Sequence, residues 1–309
     1  MYDLVIIGGG PAGVAAGIYA ARKKIKTVLV TDFFGGQSLV SNDVENWIGV
    51  KNASGLELAK MMEEHLRAQE DIEIMDGTLV SKIEKIADKK NQSFKVSVEN
   101  GKVLEAKTIL ISLGSRRKKL NILGERELEG KGVSYCATCD APLFKNKVVA
   151  VAGGGNSGLE AVTDLIPYAS KIYLIHRSDA LKGDPITQDK IRSNPKVEII
   201  LNAQMQEVFG ETSVSGLKYK DKSGEIKEIK CEGVFVEIGS MPNNDLVKNI
   251  VKLNDWGEIV VDHKTQQTSE PGIWAAGDVT DVSYKQNNIS MGDAVKAALN
   301  IHDYLKRTS

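Results

Sequence analysis

The sequence predicts an α/β protein built from two Rossmann-like dinucleotide-binding domains. Three observations carry this. The 309 residues suffice for two domains, given a usual size of roughly 100–200 residues each. A strand, glycine-rich turn, helix, strand signature occurs twice, and each copy is followed by a β-rich stretch that closes in a buried-strand pattern. In the first copy Asp3–Ile7 reads as a strand and Gly8-Gly9-Gly10-Pro11-Ala12-Gly13 as the turn. An Ala-rich helix then runs to Lys24, and the second strand Thr27–Thr31 ends at Asp32. In the second copy Val148–Ala152 leads into Gly153-Gly154-Gly155-Asn156-Ser157-Gly158, a helix through Ile166, and a strand Lys171–Ile175 that runs into His176-Arg177. At each turn the first glycine permits the tight bend, the second lets a pyrophosphate approach the backbone, and the third lets helix and strand pack closely. The open N–H groups at the helix start then hold phosphate. The bland alternative for either turn is that it only packs a helix on a strand.

The β-rich stretch Ile72–Ile111 alternates apolar and polar residues around a turn at Asn100-Gly101, and its last strand runs out through Ser112-Leu113-Gly114. Val197–Ile238 repeats the plan, with a turn at Ser223-Gly224 and a closing strand Gly233–Ile238. Each half reads as a βαβ unit, a meander and a return strand. Further on, Gly272–Val279 is a short buried strand ending in Gly277-Asp278. A helix is predicted from Gly292 to Lys306, with Ala294, Ala298, Ile301 and Leu305 at core spacing.

Lys plus Arg number 40 and Asp plus Glu 41, a net charge of -1, so no basic surface argues for nucleic acid. The chain opens directly on an apolar strand without a basic flank. No apolar run reaches the ~18 residues that a membrane span needs. A soluble, cytoplasmic protein without membrane or nucleic-acid partners is expected. There are three cysteines, Cys136, Cys139 and Cys231, and only four His residues. A disulfide framework or zinc site would need more ligands, so no metal is expected and the Cys136-Ala137-Thr138-Cys139 spacing points to redox chemistry. One thiolate of such a pair attacks an external disulfide and the other resolves the mixed disulfide. Cys231, in a strand pattern, reads as a small buried apolar residue.

The order of Gly8–Gly13, Gly35-Gly36-Gln37, Val44-Glu45-Asn46, Cys136–Asp140, Gly153–Gly158 and Ala276-Gly277-Asp278 resembles the low-molecular-weight thioredoxin reductases over nearly the whole chain. Gly153–Glu160, Gln188-Asp189-Lys190 and Ile199–Gln204 are similar also to the reductase core of the alkyl hydroperoxide reductase flavoprotein subunit. With no thioredoxin-like extension ahead of the first strand, that second architecture is expected to be incomplete. The resemblance implies a disulfide reductase fold in which an FAD domain, residues 1–117 and 244–309, is interrupted by a NAD(P)-binding-like domain, residues 118–243, which carries the cysteines. Connections near Ser115–Leu120 and Met241–Asn244 would be hinges for rotation of one domain, and a homodimer is implied.

For FAD, the turn Gly8, Gly10, Pro11, Ala12 and Gly13 should cradle the pyrophosphate, and Asp32 stands where an acid binds ribose hydroxyls. The resemblance adds Gly36, Gln37 and Asn46 around the isoalloxazine and ribityl chain, with loop stabilisation as the bland reading of Gln37 and Asn46. It also adds Gly114, Gly277 and Asp278, and the stretch Lys285-Gln286-Asn287 over the flavin. It implies Cys139 as the flavin-facing sulfur, Cys136 as the interchange sulfur and Asp140 as the acid/base beside them. The alternative for Asp140 is a cap on the following turn.

The nicotinamide site would use Gly153, Gly155, Asn156, Ser157, His176, Arg177 and Lys182. Usual NADPH-dependent members carry two arginines after the histidine and a third shortly after, because a 2′-phosphate wants guanidinium contacts. Here Ser178 and Lys182 replace two of them, and Asp179 is added. NADPH, NADH and reduced ferredoxin, which some relatives use, therefore all stay open as donors. A thioredoxin-like protein is the expected acceptor, a peroxiredoxin- or glutaredoxin-type protein an alternative, and a flavin-bound redox sensor the reading from another functional class.

Overall fold

The computed structural model describes residues 1–40, 44–87 and 92–308. From the N-terminus come β1 (Tyr2–Gly9), α1 (Pro11–Arg22), β2 (Thr27–Phe34), α2 (Gly55–Arg67), β3 (Ile72–Met75), β4 (Val80–Ala87), β5 (Gln92–Val98), β6 (Val103–Ile111) and the short β7 (Ser115–Arg117). Next are β8 (Val133–Ser134), α3 (Ala137–Asp140), β9 (Val148–Ala152), α4 (Asn156–Leu165), β10 (Lys171–Ile175), α5 (Pro185–Arg192) and β11 (Val197–Ile200). The strands β12 (Gln204–Phe209), β13 (Gly216–Lys220), β14 (Ile226–Lys230), β15 (Gly233–Val236), β16 (Ser240–Pro242) and β17 (Ile273–Ala275) precede the last helix, α6 (Asn287–Thr308). The chain divides into two compact units, one of Met1–Asn42, Trp47–Arg116 and Met241–Ser309, the other of Asp43–Asn46 and Arg117–Ser240.

In the first unit the strand order is β3-β2-β1-β6-β5-β4, with β17 also on β6. The strands β3, β2, β1, β6 and β17 run parallel, while β4, β5 and β6 form an antiparallel meander. Period-two alternation sends Leu4 and Ile6 of β1 to one face and Val5 and Ile7 to the other. On the first face α1 packs with α6, whose Ala294, Ala298, Ile301 and Leu305 are all buried as the spacing predicts. The alanines on both helices let their backbones approach closely. In the second unit β11-β10-β9-β15-β8 is wholly parallel. Val149 and Val151 face the helical layer, and Ala150 and Ala152 face a separate antiparallel sheet, β12-β13-β14.

The structure departs from the sequence reading in several elements, among them the strand predicted over Gly272–Val279, which covers only Ile273–Ala275, and the closing strand predicted over Gly233–Ile238, which ends at Val236. Ile72–Met75 and Val197–Ile200 are not meander strands but join the parallel sheets, pairing with β2 and β10. The reason is that a helix precedes each, and a crossover helix returns the chain parallel. The helix before β3 carries an N-terminal signature that the reading did not use: Ser54 accepts from Glu57 N while the Glu57 carboxylate accepts from Ser54 N. Strand β2 continues past Asp32 to Phe34, because a register shift pairs Phe34 with Gly9. Helix α6 starts at Asn287 rather than Gly292. Its first turn is fixed by packing, with Ser290 buried and its N–H bonded to Gln286 O.

Candidate active site

In the first unit the glycine turn joins β1 to α1. Gly8 has φ +113°, and a Cβ there would lie 2.4 Å from the Ser112 carbonyl oxygen. A Cβ on Gly13 would lie 1.8 Å from the Gly8 carbonyl oxygen, so this glycine's part is to let α1 pack on the turn. Gly10 caps α1 with no side-chain hydrogen bond and Pro11 occupies its first turn. The backbone N–H groups that such a helix start leaves open are an anion-binding feature.

A cleft of 380 Å³ opens over this turn, within the ~300–1,000 Å³ usual for small-molecule sites. Gly8, Gly10, Pro11 and Ala12 form its floor, Asp32 lines it from the end of β2 with Gly36 and Gln37 just beyond that strand, and Gly114, Gly277, Asp278 and Asn287 line it elsewhere. Ser290 donates its hydroxyl to Asp278 at 3.2 Å. Gly13, Asn46, Lys285 and Gln286 are not among the lining residues. Asn46 is exposed and groups with the second unit. The Lys285 ammonium is engaged, donating to Thr280 O of its own loop and pairing at 2.9 Å with Glu258 from the segment ahead of β17. Lining residues that the sequence reading missed include Phe33, Leu79, Val80, Glu99, Asn243 and Asp245. Asn243 fixes the end of the return strand, donating from its backbone N to Gly114 O and from Nδ2 to Leu113 O. Leu79 and Val80 were traceable: had the α2–β3 crossover been read, they would follow a parallel strand at the end where open sheets bind ligands.

The second turn repeats this backbone. Gly153 has φ +133° and its Cβ would lie 2.2 Å from the Glu237 carbonyl oxygen; a Cβ on Gly158 would lie 2.0 Å from Gly153 O. Gly155 caps α4 without a side-chain bond. The backbone N–H of Lys182 donates to Gly154 O at 2.7 Å, bringing the 181–184 loop beside the turn. Asn156 Oδ1 accepts from Asp184 N there, while Asn156, Ser157, Arg177 and Lys182 are exposed. His176 is buried against Gly154, and its Nε2 has no hydrogen-bond partner among the described residues. Burial, with the charges of Lys182 and Arg177, lowers its pKa.

Cys136 and Cys139, both half-buried, form a disulfide with a Cα–Cα distance of 5.3 Å. Cys136 caps the start of α3 and Cys139 lies within it, and this short helix is tied down on several sides. Asp140 accepts from the Ser134 hydroxyl at 2.6 Å and makes no side-chain cap on the following helical turn. Thr138 donates its hydroxyl to Asp164 at 2.8 Å. The Ala137 N–H donates to Glu237 Oε1 at 3.2 Å. Burial pushes the Glu237 carboxyl up to about 7, against the pull of Arg117 and the Ala137 N–H and with the push of Asp164 and Glu160. The sequence reading did not single out Glu237, although an acid inside the apolar run Gly233–Ile238 was the signal for it. Cys231 is buried, and desolvation pushes its thiol up to about 12, so it is inert beside the paired cysteines. Among the described residues no group of three or more His, Cys, Asp or Glu could hold a metal, and no helix is long and apolar enough to cross a membrane.

Comparison with known proteins bears on this site. Residues 2–297 match the family described as pyridine nucleotide-disulphide oxidoreductase. The chain is 44% identical over 307 residues to a Bacillus subtilis protein named NADH dehydrogenase, and 46% identical to the F subunit of alkyl hydroperoxide reductase of Staphylococcus aureus. In both cases 99% of this chain aligns, and it spans 59% of the relative's length. The crystal structure of thioredoxin reductase from Streptococcus pyogenes superposes with a TM-score of 0.91 at 34% identity, covering 99% of each chain.

Proposed function

The chain belongs to the pyridine nucleotide-disulphide oxidoreductase family, and from that premise we propose that it is a thioredoxin reductase-type enzyme that reduces the disulfide of a thioredoxin-fold protein through Cys136 and Cys139. The observation that carries the reading is the Cys136–Cys139 disulfide, half-buried and held from three directions, in a chain that also has two dinucleotide turns. As a flavoprotein disulfide oxidoreductase it uses FAD and a pyridine nucleotide.

The residues of the first unit fit FAD: the turn excludes any Cβ at Gly8, the start of α1 is open to phosphate, and the cleft beyond carries Asp32 and Asp278. Asp32 would hold ribose hydroxyls, Asp278 the ribityl chain, and the Gly8–Ala12 backbone the pyrophosphate. When bound, FAD supplies two-electron redox chemistry that links the donor to the disulfide. We place the flavin domain in the first unit and the NAD(P)-binding-like domain in the second. There Gly153, Gly155 and the start of α4 would hold the dinucleotide phosphates, and Arg177 and Lys182 are the exposed cations available to its adenosine end. In exchange with the partner, the Cys136 thiolate attacks the external disulfide and Cys139 displaces the partner's thiolate. Asp140, oriented by Ser134, is the acid that returns the proton.

Anaerobic bleaching of the flavin absorbance with NADPH, NADH and reduced ferredoxin in turn identifies the donor. Bleaching by either nicotinamide supports the second turn as its site, and bleaching by ferredoxin alone leaves that turn a packing element. With the donor fixed, Cys139→Ser should abolish reduction of thioredoxin and of a peroxiredoxin-type partner while flavin stays bound. Wild-type turnover in that variant would sink the assignment.

A further inference from the structure

Glu237 holds, in the second unit, the position that Ser112 holds in the first. Each residue follows a return strand, and each turns its carbonyl oxygen toward the first glycine of a dinucleotide turn. Ser112 uses its hydroxyl locally, donating to the carbonyls of Ile7 and Gly8. A carboxylate cannot donate to carbonyls. The Glu237 side chain reaches away from its own turn and accepts the Ala137 N–H at 3.2 Å. That N–H lies in the peptide bond joining Cys136 to Ala137, inside the ring closed by the disulfide.

Glu237 is 8% exposed. The charged groups acting on it are Arg117, which favours its ionised form, and Asp164 and Glu160 on α4, which oppose it. Asp164 also holds the adjacent Thr138 hydroxyl. One N–H and one cation compensate a buried carboxylate only in part, and burial leaves it titrating at about 7.

Reduction changes the charge of this neighbourhood. Two electrons, from reduced flavin in the proposed reaction and from dithiothreitol in the test below, break the S–S bond. One proton makes one sulfur a thiol and leaves the other a thiolate, and a second proton completes the dithiol. A thiolate in this turn and a carboxylate hydrogen-bonded to the same turn are like charges in a poorly hydrated place, so they do not ionise independently.

We propose that Glu237 is a positioning residue that ties the Cys136–Cys139 turn to the return strand and couples ionisation of the reduced pair to its own carboxyl group. The inference rests on reading Cys136 and Cys139 as the exchanging pair. Ionised, Glu237 holds the turn through Ala137 and keeps the sulfurs as thiols. Protonated, it lets a thiolate form, so the second proton of reduction is shared between the carboxyl group and sulfur.

The test uses the FAD-loaded protein, reduced with dithiothreitol, desalted without oxygen and alkylated with iodoacetamide across the pH range, with the modified cysteine assigned by mass spectrometry. Glu237→Gln keeps an oxygen for the Ala137 N–H and removes the charge; Glu237→Ala removes both. Both variants should shift the thiol titration downward by about one pH unit, alkylating about tenfold faster near neutrality. A Glu237→Gln profile superimposed on wild type, or a change confined to Glu237→Ala, overturns the coupling. A second measurement needs only wild-type protein: infrared difference spectra of disulfide reduction slightly above neutral pH, with isotope-labelled glutamate. A protonated glutamic acid band gained on reduction supports the proposal, and no such band overturns it. Neither readout uses turnover, so a failure here is distinct from wild-type activity in Cys139→Ser, which would overturn the function itself.

Discussion

At the first dinucleotide turn Gly8 faces the carbonyl of Ser112, and the strand beyond passes exposed Asp32; at the second, Gly153 faces the carbonyl of Glu237, and the strand beyond ends at buried His176. The backbones match closely: both first glycines have positive φ, both third glycines sit against the first glycine's carbonyl, and both following helices start on a glycine without a side-chain cap. The side chains around them do not match. A hydroxyl that bonds within the first turn is replaced at the second by a buried acid that accepts from the Ala137 N–H between the disulfide-bonded cysteines, and an exposed acid is replaced by a buried imidazole. The two turns therefore share a backbone whose helix start is open to an anion, while the residues near the strand ends give each turn its own chemistry.

The strongest way to break the comparison is to destroy the two turns separately. Gly8→Val and Gly153→Val each force a β-branched side chain into positive φ and against a carbonyl oxygen, a strain of about 3 kcal/mol or more. Gly8→Val should purify without flavin, read as the ratio of flavin to protein absorbance. Gly153→Val should keep its flavin and lose bleaching by nicotinamide; undiminished bleaching would show that the second turn binds no dinucleotide.

Stability against pH sharpens the contrast between Ser112 and Glu237. The Glu237 carboxyl titrates at about 7 in the folded chain against an ordinary 4.5. The folded state thus holds the proton more tightly, and this contribution is complete below about pH 4.5 and lost as pH rises through 7. Glu237→Gln, which stays neutral, should be more stable than wild type above about pH 8, by at most ~3 kcal/mol, and should lose that advantage in acid. Denaturant melts at the two pH values check this, and a pH-independent difference would mean that Glu237 is compensated in the fold.

A smaller effect is expected at the adenosine end of the second site. Ser178→Arg with Lys182→Arg restores two guanidinium groups and should improve NADPH over NADH by about tenfold in kcat/KM. An unchanged ratio would mean that these positions do not reach a 2′-phosphate.

Much of this organisation was legible in the residues. Gly8–Gly13 and Gly153–Gly158 marked both turns, and Cys136 and Cys139 marked the pair that the structure joins in a disulfide, because glycine backbone freedom and cysteine spacing are local properties. Ala294, Ala298, Ile301 and Leu305 marked a buried helix face by period alone. The start of α6 was not legible, since Asn287–Met291 has no strong cap signal and becomes helical where Ser290 packs beside Gly277 and Asp278. Nor was the parallel pairing of β3 and β11, which follows from the crossover helices rather than from alternation in the strands. By itself the sequence determined two glycine turns of matching backbone, a closely spaced cysteine pair and the α/β class. Only the tertiary structure decided that Lys285 is engaged by Glu258, that the cleft extends to Leu79 and Glu99, and that Glu237 reaches the Cys136–Ala137 peptide, 100 residues away in the chain. The physical reason is that such partners are set by which strand ends meet across a sheet, and a linear pattern of residues carries no record of that meeting.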